Sequence, residues 1–289
     1  MRALVARPMA SDGSPKAEDR PRSFFEHLEE VRARLKVVIV SLLIAFVFFL
    51  LFTFQYFVVS GLALWLPVPS LNPQETIANQ FLIALRLWLV RPVDGTPIQL
   101  VVLTPWEAVV VQFKIALFLA AIAISPVATY EFWRFVSPGL KPKEKSLIMR
   151  VSIPVVVLFL AGVAVSLLIV LPFTFPFLYG IAVAIGATPL LQLQEFLDFV
   201  LLFTLAFGAA FELPVVMYGL SALGIVQPDF WRRNWRYATI AIFIFGAIIT
   251  PDGSGVTMML VSVPMLILYV AGYAMIRLRL KNTTKGKSS

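Results

Sequence analysis

The chain has 289 residues, of which 60% are hydrophobic and only 14% charged, and its mean hydropathy is +0.89. This composition excludes an ordinary water-soluble domain, and its +8 formal charge lies mostly between apolar runs, which favours a membrane over a nucleic-acid partner. The absence of cysteine and the single histidine exclude disulfide frameworks, thiolate catalysis and Cys/His zinc sites.

Both ends of the chain are predicted to lie outside the membrane. Residues 1–22 contain three prolines, one glycine and charges of both signs, a composition that cannot bury a core, so we expect a disordered cytoplasmic tail. They do not form a signal peptide, because a charged helix separates them from an apolar run that is too long for one. Residues 277–289 are predicted to be a second, basic cytoplasmic tail.

Six apolar runs between these tails are predicted to be transmembrane helices, which makes the fold an all-α integral membrane protein. A bilayer core of about 30 Å needs about 20 helical residues. The fifth run would reach only about 22 Å at 1.5 Å per residue, and it is counted because the charge distribution requires it. The predicted spans are residues 37–59, 106–133, 151–175, 195–222, 236–250 and 257–276.

The distribution of Lys and Arg sets the predicted orientation, because cytoplasmic segments retain positive charge. The segment before residue 37, the loop 134–150, the loop 223–236 and the segment after 276 carry 8, 5, 3 and 5 basic residues, 21 in all. The alternate segments carry only two. Both termini are therefore predicted to be cytoplasmic, and the absence of a transit peptide favours the cell inner (plasma) membrane.

The longest outer segment, residues 60–105, is interrupted by six prolines. Between them, apolar side chains recur at the spacing of one helical face over residues 74–90. We therefore predict a helix that lies on the outer surface of the membrane.

A charged motif precedes the first span. Ser23 and Glu26 form a capping box, so a helix is predicted to begin there and to continue into the span. Glu30 is spaced to pair with Arg34 at i,i+4, which is typical of a solvated helix. From the pattern alone, that structural interpretation is favoured.

The loop 134–150 holds Glu144 as its only acidic residue among five basic ones. A Pro-Gly turn restricts the backbone, and Phe135 and Leu140 are apolar side chains at the cytoplasmic surface. From the pattern alone, we favour the interpretation that Glu144 stabilises the start of the third span. The functional alternative is a carboxylate that accepts both donors of an arginine fork.

Two charges stand out inside the predicted spans, Lys114 in the second and Glu212 in the fourth. A lone charge near the bilayer centre costs about 3 kcal/mol or more. We therefore predict a function for Glu212, which must face a wet cavity, be protonated or be paired. Lys114 lies nearer the outer end of its span and can snorkel outward.

Taken together, these features resemble the TatC family, the core receptor subunits of the twin-arginine (Sec-independent) protein translocase. The resemblance extends over roughly residues 23–276 and rests on several motifs in the order that the family has them. These are 27–35 (HLEEVRARL), 104–107 (TPWE) followed by Lys114, 135–140 (FVSPGL) with Glu144, 207–214 (FGAAFELP) and 250–252 (TPD).

The resemblance implies a six-span, TatC-like cupped bundle that binds signal peptides with paired arginines on folded cargo. The family's recognition carboxylates match Glu30 and Glu144, which reverses the preference stated above for both. The signal-peptide site is expected to comprise Glu30, Glu144, Phe135, Leu140 and Arg32. An intramembrane polar groove is expected to contain Glu212 and Lys114.

The resemblance also implies TatA-type and TatB-type single-span partners, assembly in a multi-copy complex, and transport driven by the proton motive force. We expect no enzymatic activity, catalytic residue, cofactor, metal or nucleic-acid partner. Met258 and Val270 replace a Gln and a Glu that many relatives carry, so no partner contact is assigned to them.

A rival interpretation is a proton-coupled transporter for a small solute, with Glu212 as the proton site and Lys114 as a substrate or counter-ion group. Such transporters commonly contain inverted repeats and paired broken helices, and the sequence shows neither. A third class, an intramembrane hydrolase, needs a nucleophile with a base or a pair of acids. No second acid was identified at the depth of Glu212.

Overall fold

The computed structural model describes residues 24–59, 62–70, 72–136, 142–250 and 254–285. It describes the side chains of residues 28–57, 64–70, 72–135, 152–250 and 254–278. The predicted tail 1–22 lies outside the described residues.

Helices make up most of the described chain, as the composition predicts, and two small two-stranded sheets accompany them. The helices are α1 (Phe24–Leu51), α2 (Ile77–Leu89), α3 (Glu107–Ala123), α4 (Ser125–Val136), α5 (Pro142–Val165), α6 (Leu171–Ala184), α7 (Leu193–Ala210), α8 (Leu213–Ala222), α9 (Pro228–Arg233), α10 (Trp235–Ile249) and α11 (Gly255–Lys285). The strands are β1 (Phe52–Val59), β2 (Leu62–Pro69), β3 (Gln99–Val101) and β4 (Leu190–Gln192).

The first span is shorter than predicted, because α1 ends at Leu51 and the next eight residues form β1. β1 pairs with β2 in an antiparallel hairpin, with Phe52 opposite Pro69. The β1 sequence FTFQYFVV is rich in aromatic and β-branched residues, which favour strands. Hydropathy alone does not separate such a strand from the continuation of an apolar helix, so the predicted boundary at residue 59 was wrong.

The six predicted spans all appear as apolar helical segments. α3 and α4 form one of them, bent by 53° where the two helices meet. α10 has 15 residues and is the short fifth span that the sequence predicts, while α11 continues to Lys285, beyond the predicted end at residue 276. The long apolar spans are Leu28–Leu51, Ser152–Ala184, Leu193–Ala222 and Gly255–Leu278.

The third span is longer than predicted and contains a π-helical turn, Ser166–Val170, between α5 and α6. Its apolar part has 33 residues, so at 1.5 Å per residue it exceeds a bilayer core of about 30 Å and must tilt or protrude. The carbonyl of Leu167 in the π turn accepts a hydrogen bond from Trp88 Nε1 at 3.0 Å. This contact fastens α2, the predicted surface helix, to the third span.

Leu193–Ala222, which comprises α7 and α8, is the most buried of the four long spans. Its first helix, α7, packs against α3, α5 and α10. Along one side, the rings of Phe199, Phe203, Phe207 and Phe211 follow one another with centroids 5.3–5.6 Å apart. Side chains four residues apart are neighbours on a helix, and aromatic pairs at this separation attract each other. This row of rings stiffens the centre of the bundle.

α5 crosses α7 at two glycines. A Cβ added to Gly162 would lie 2.8 Å from Phe211 Cγ and 2.9 Å from Gly208 Cα, and one added to Gly208 would lie 2.8 Å from the Phe159 ring. Helices in a membrane approach this closely only where their contact residues are small. The two glycines therefore fix where α5 and α7 touch.

Replacing Gly162 with alanine is expected to destabilise the protein by about 1–3 kcal/mol, because the methyl group overpacks the α5–α7 contact. Thermal unfolding of the detergent-solubilised protein measures the effect. Gly219→Ala in α8 is the matched control, since nothing lies within 4 Å of its added Cβ, and it should be neutral or slightly stabilising. Equal melting temperatures for the two variants would show that the contact relaxes without cost.

Candidate functional site

Glu30 and Arg34 lie one turn apart in the first part of α1 and form the ion pair that their spacing predicts. Their side chains are only 17% and 18% exposed, respectively. A pair on a freely solvated helix would be more accessible and would contribute little to stability. A neighbouring helix must therefore shield this pair from water.

The neighbouring helix is α4, and its acidic residue Glu131 was not among the site residues predicted from the sequence. Glu131 Oε2 lies 3.5 Å from Arg34 Nη1, and Glu131 Oε1 lies 3.8 Å from Arg134 Nη1. Glu131 is 9% exposed, whereas Arg134 is 61% exposed. We call Glu30, Arg34, Glu131 and Arg134 the α1–α4 charge cluster; its two carboxylates and two guanidiniums balance in charge.

The α1–α4 charge cluster lines a cavity of about 210 Å³, together with Ala33 and Val37. Nε of Arg34 is buried and has no hydrogen-bond partner among the described residues. Carboxylates accept guanidinium groups through short, charge-assisted and often paired hydrogen bonds. A cavity with Glu30 and Glu131 in its wall is therefore suited to an arginine side chain.

The other predicted signal-peptide residues lie on the same helices or outside the described residues. Arg32 is exposed on α1, and Phe135 is half-buried near the end of α4. The backbone of Glu144 falls in the first turn of α5, which packs against α4. The Glu144 side chain and the whole of Leu140 lie outside the described part of the chain.

Glu212 occupies the break between α7 and α8 and is the N-cap residue of α8, two residues before Pro214. Both of its carboxylate oxygens are buried, and neither makes a hydrogen bond to a described group, although the backbone of Phe159 in α5 lies close by. A carboxylate in such a place is costly unless a partner reaches it. The carboxylate of Glu212 thus lacks a hydrogen-bond donor among the described residues at the break between α7 and α8.

Lys114 pairs with Asp198, an acidic residue that its sequence context did not single out. The expectation that Lys114 snorkels outward by itself is therefore replaced by an ion pair. Lys114 Nζ lies 2.6 Å from Asp198 Oδ1 and 2.8 Å from Oδ2. The two side chains are 32% and 48% exposed. Both residues lie a few residues after the N-terminal ends of α3 and α7, so a comparison of positions along the second and fourth spans could have found the pair.

Glu107 joins the N-terminal ends of α3 and α7. Its side chain is fully buried; Oε2 accepts backbone N–H groups of Leu103 at 2.9 Å and Thr104 at 3.3 Å, and Oε1 accepts that of Gln194 at 2.9 Å. Beside it, β3 pairs in parallel with β4. The glutamate of the TPWE motif thus links the second and fourth spans through backbone hydrogen bonds.

Comparison with known proteins connects this geometry to one family. The sequence model described as Sec-independent protein translocase protein (TatC) matches residues 26–264. A TatC protein of Cenarchaeum symbiosum is 41% identical over 250 residues, which cover 86% of this chain and 92% of the relative. One of Carboxydothermus hydrogenoformans is 33% identical over 252 residues, which cover 87% and 91%.

Two solved structures share the fold. A crystal structure of the twin-arginine translocase receptor TatC has a TM-score of 0.66 and 31% identity, covering 88% of this chain and 99% of that one. A crystal structure of the same receptor in DDM has a TM-score of 0.67 and 30% identity, covering 86% and 99%. The TatC-like helical membrane fold expected from the sequence is therefore confirmed, and the predicted count of six spans is consistent with it.

Removing one member of the Lys114–Asp198 pair is expected to destabilise the protein by about 1 kcal/mol, since the other charge stays in a span without its partner. Lys114→Gln and Asp198→Asn should each lower the melting temperature in detergent. The exchanged variant, Lys114→Asp with Asp198→Lys, should recover most of the loss, because it restores an ion pair. Additive losses in the exchanged variant would show that the two charges do not interact.

Proposed function

Because the chain belongs to the TatC family of Sec-independent protein translocases, we propose that it is the receptor and core subunit that binds signal peptides with paired arginines. It is a multi-pass membrane protein, with several apolar helices of spanning length. In this proposal it lies in the cell inner (plasma) membrane, with both termini in the cytoplasm. The 21 basic residues of the predicted inner segments, against two in the outer ones, support that orientation.

The observation that carries the proposal is the shielded carboxylate of Glu30 in the wall of the α1–α4 cavity. A guanidinium offers five donors in a fixed plane, two of which match the two oxygens of one carboxylate, whereas a lysine ammonium is a point charge. A site built on carboxylates therefore distinguishes paired arginines from paired lysines by geometry. Glu30 is proposed to accept one arginine of the signal peptide.

Glu144 is proposed to accept the second arginine. Its backbone lies in the first turn of α5, and α5 packs against α4, the helix that forms the other wall of the cavity. Phe135 and Leu140 are proposed to contact the apolar part of the signal peptide beside the arginines. Arg32 is exposed on α1, two residues after Glu30, and is proposed to contact the same peptide.

The protein is proposed to be a transport component that performs no catalysis of its own. TatA-type and TatB-type single-span subunits are its proposed partners, several copies are proposed to assemble together, and folded cargo is the proposed passenger. No nucleotide-binding motif occurs in the sequence. The energy is proposed to come from the proton motive force, as the membership of the TatC family implies.

Arginine-selective binding tests this function. We expect the detergent-solubilised full chain to bind a paired-arginine signal peptide at least about tenfold more tightly than its paired-lysine twin. The double variant Glu30→Gln/Glu144→Gln should lose that selectivity, because an amide offers one neutral acceptor in place of a carboxylate. Fluorescence anisotropy of the labelled peptides measures both affinities.

Glu29→Gln is the matched control for this experiment. It removes the same charge from the neighbouring position of α1, where the side chain is exposed, so the arginine preference should persist. Equal affinity of the wild-type chain for the two peptides would contradict the proposed function. Loss of selectivity in Glu29→Gln to the same extent would assign the effect to overall charge.

Glu212→Gln is expected to leave insertion and signal-peptide binding normal, and to impair transport or partner assembly. The substitution keeps the shape of the buried side chain but removes the charge that lacks a hydrogen-bond partner in the described chain. Peptide binding, co-purification of a TatB-type partner and cargo uptake by membrane vesicles separate these steps. Glu195→Gln, exposed in the first turn of α7, is the control; failure of Glu212→Gln to insert would make Glu212 a structural residue.

A further inference from the structure

We propose that Arg34 is an internal competitor for Glu30, and that Glu131 is the carboxylate that receives Arg34 when a guanidinium from outside takes its place. The inference rests on the proposed function, because the outside guanidinium is that of the signal peptide. It adds two positioning residues, Arg34 and Glu131, to a site otherwise described by its recognition carboxylates.

Glu30 already holds a guanidinium, that of Arg34. Arg34 Nη2 engages Glu30 Oε1 in a pair whose two side chains are less than one-fifth exposed. Any arginine that binds Glu30 in the same way must displace Arg34 or share the carboxylate with it. The apparent affinity for such a ligand is then multiplied by the fraction of molecules in which Arg34 has released Glu30.

Arg34 has a second carboxylate within reach, that of Glu131. Its other terminal nitrogen, Nη1, lies 3.5 Å from Glu131 Oε2, at the outer limit of a hydrogen bond. A small movement of the guanidinium toward α4 would shorten this contact while releasing Glu30. Arg34 can therefore change partner inside the cavity without crossing into bulk water.

Glu131 has acceptor positions left for the guanidinium of Arg34. An ionised carboxylate offers about four acceptor positions, and the described partners of Glu131 are Arg34 at 3.5 Å and Arg134 at 3.8 Å, both long contacts. Glu131 is 9% exposed, so water does little to satisfy it. A displaced Arg34 without a new acceptor would be an unpaired charge in a shielded site, which is strongly unfavourable. Pairing with Glu131 avoids this cost.

Peptide binding to an Arg34 series tests the competitor. Arg34→Gln should bind the paired-arginine signal peptide about tenfold more tightly than wild type. The paired-lysine peptide should gain by the same factor, because occupancy of Glu30 weakens every ligand of that carboxylate alike. Arg34→Lys keeps the charge without the planar fork, so its affinity for the paired-arginine peptide should fall between those of wild type and Arg34→Gln.

Arg134→Gln is the matched control. It removes the same charge from the same cluster, but Arg134 contacts Glu131 from a 61% exposed position. Its effect on affinity should stay within about twofold, since exposed charges are well screened. Equal tightening in Arg134→Gln and Arg34→Gln would overturn the proposal, because the gain would then reflect net charge alone.

A double-mutant cycle tests the role of Glu131. Glu131→Gln should weaken peptide binding about fivefold in the wild-type background, because the displaced Arg34 then has a poorer acceptor. In the Arg34→Gln background the same substitution should have no effect, since no guanidinium needs a new partner. An equal loss in both backgrounds would reduce Glu131 to a structural residue and overturn its role as acceptor.

Chemical labelling supplies a measurement that needs no peptide. Coupling of an amine to carboxylates with a carbodiimide, quantified by mass spectrometry, should modify Glu30 several-fold faster in Arg34→Gln than in wild type, with exposed Glu29 as the internal reference. Arginine-selective binding without tightening in Arg34→Gln would overturn this inference and leave the proposed function intact. If the wild-type chain shows no arginine preference, the proposed function fails, and unchanged Glu30 labelling would overturn the competitor as well.

Discussion

The close contact of α5 with α7 at Gly162 and Gly208 is the interaction on which the rest of the membrane domain depends. In hydrocarbon the hydrophobic effect does not drive helices together, so van der Waals contact and shared polar atoms must hold them. Ser166 Oγ donates to Thr204 Oγ1 at 3.1 Å across the same two spans. With its centre fixed in this way, α7 presents one end to α3 and places the break before α8 against α5.

The polar groups around α7 are satisfied unequally along its length. Near the N-terminal end, Asp198 pairs with Lys114, and the buried carboxylate of Glu107 accepts three backbone N–H groups. At the C-terminal end, Glu212 is buried without a hydrogen bond from a described group. Buried polar groups in folded proteins are nearly always paired. Described residues thus satisfy the acidic groups at the N-terminal end of α7, whereas no described residue satisfies Glu212 at its C-terminal end.

The apolar helical segments could be predicted because hydrocarbon imposes a length on them. The orientation drawn from the basic residues stays a prediction. The end of α1 at Leu51 could not be predicted, since an apolar strand and an apolar helix look alike in hydropathy. At the site, the spacing of Glu30 and Arg34 predicted their pairing, because both lie on one helix. Glu131 was missed although it lies inside the predicted second span, because its contact with Arg34 joins residues 97 apart in sequence.

The hydrogen bond from Gln194 to Glu107 closes a loop of 87 residues, and this has a consequence for the order of assembly. At about 5–20 residues per second of synthesis, Gln194 follows Glu107 from the ribosome after about 4–17 s. This hydrogen bond cannot form until both residues have been synthesised. The N-terminal ends of α3 and α7 therefore join only after the third span, which lies between them in sequence, has been made.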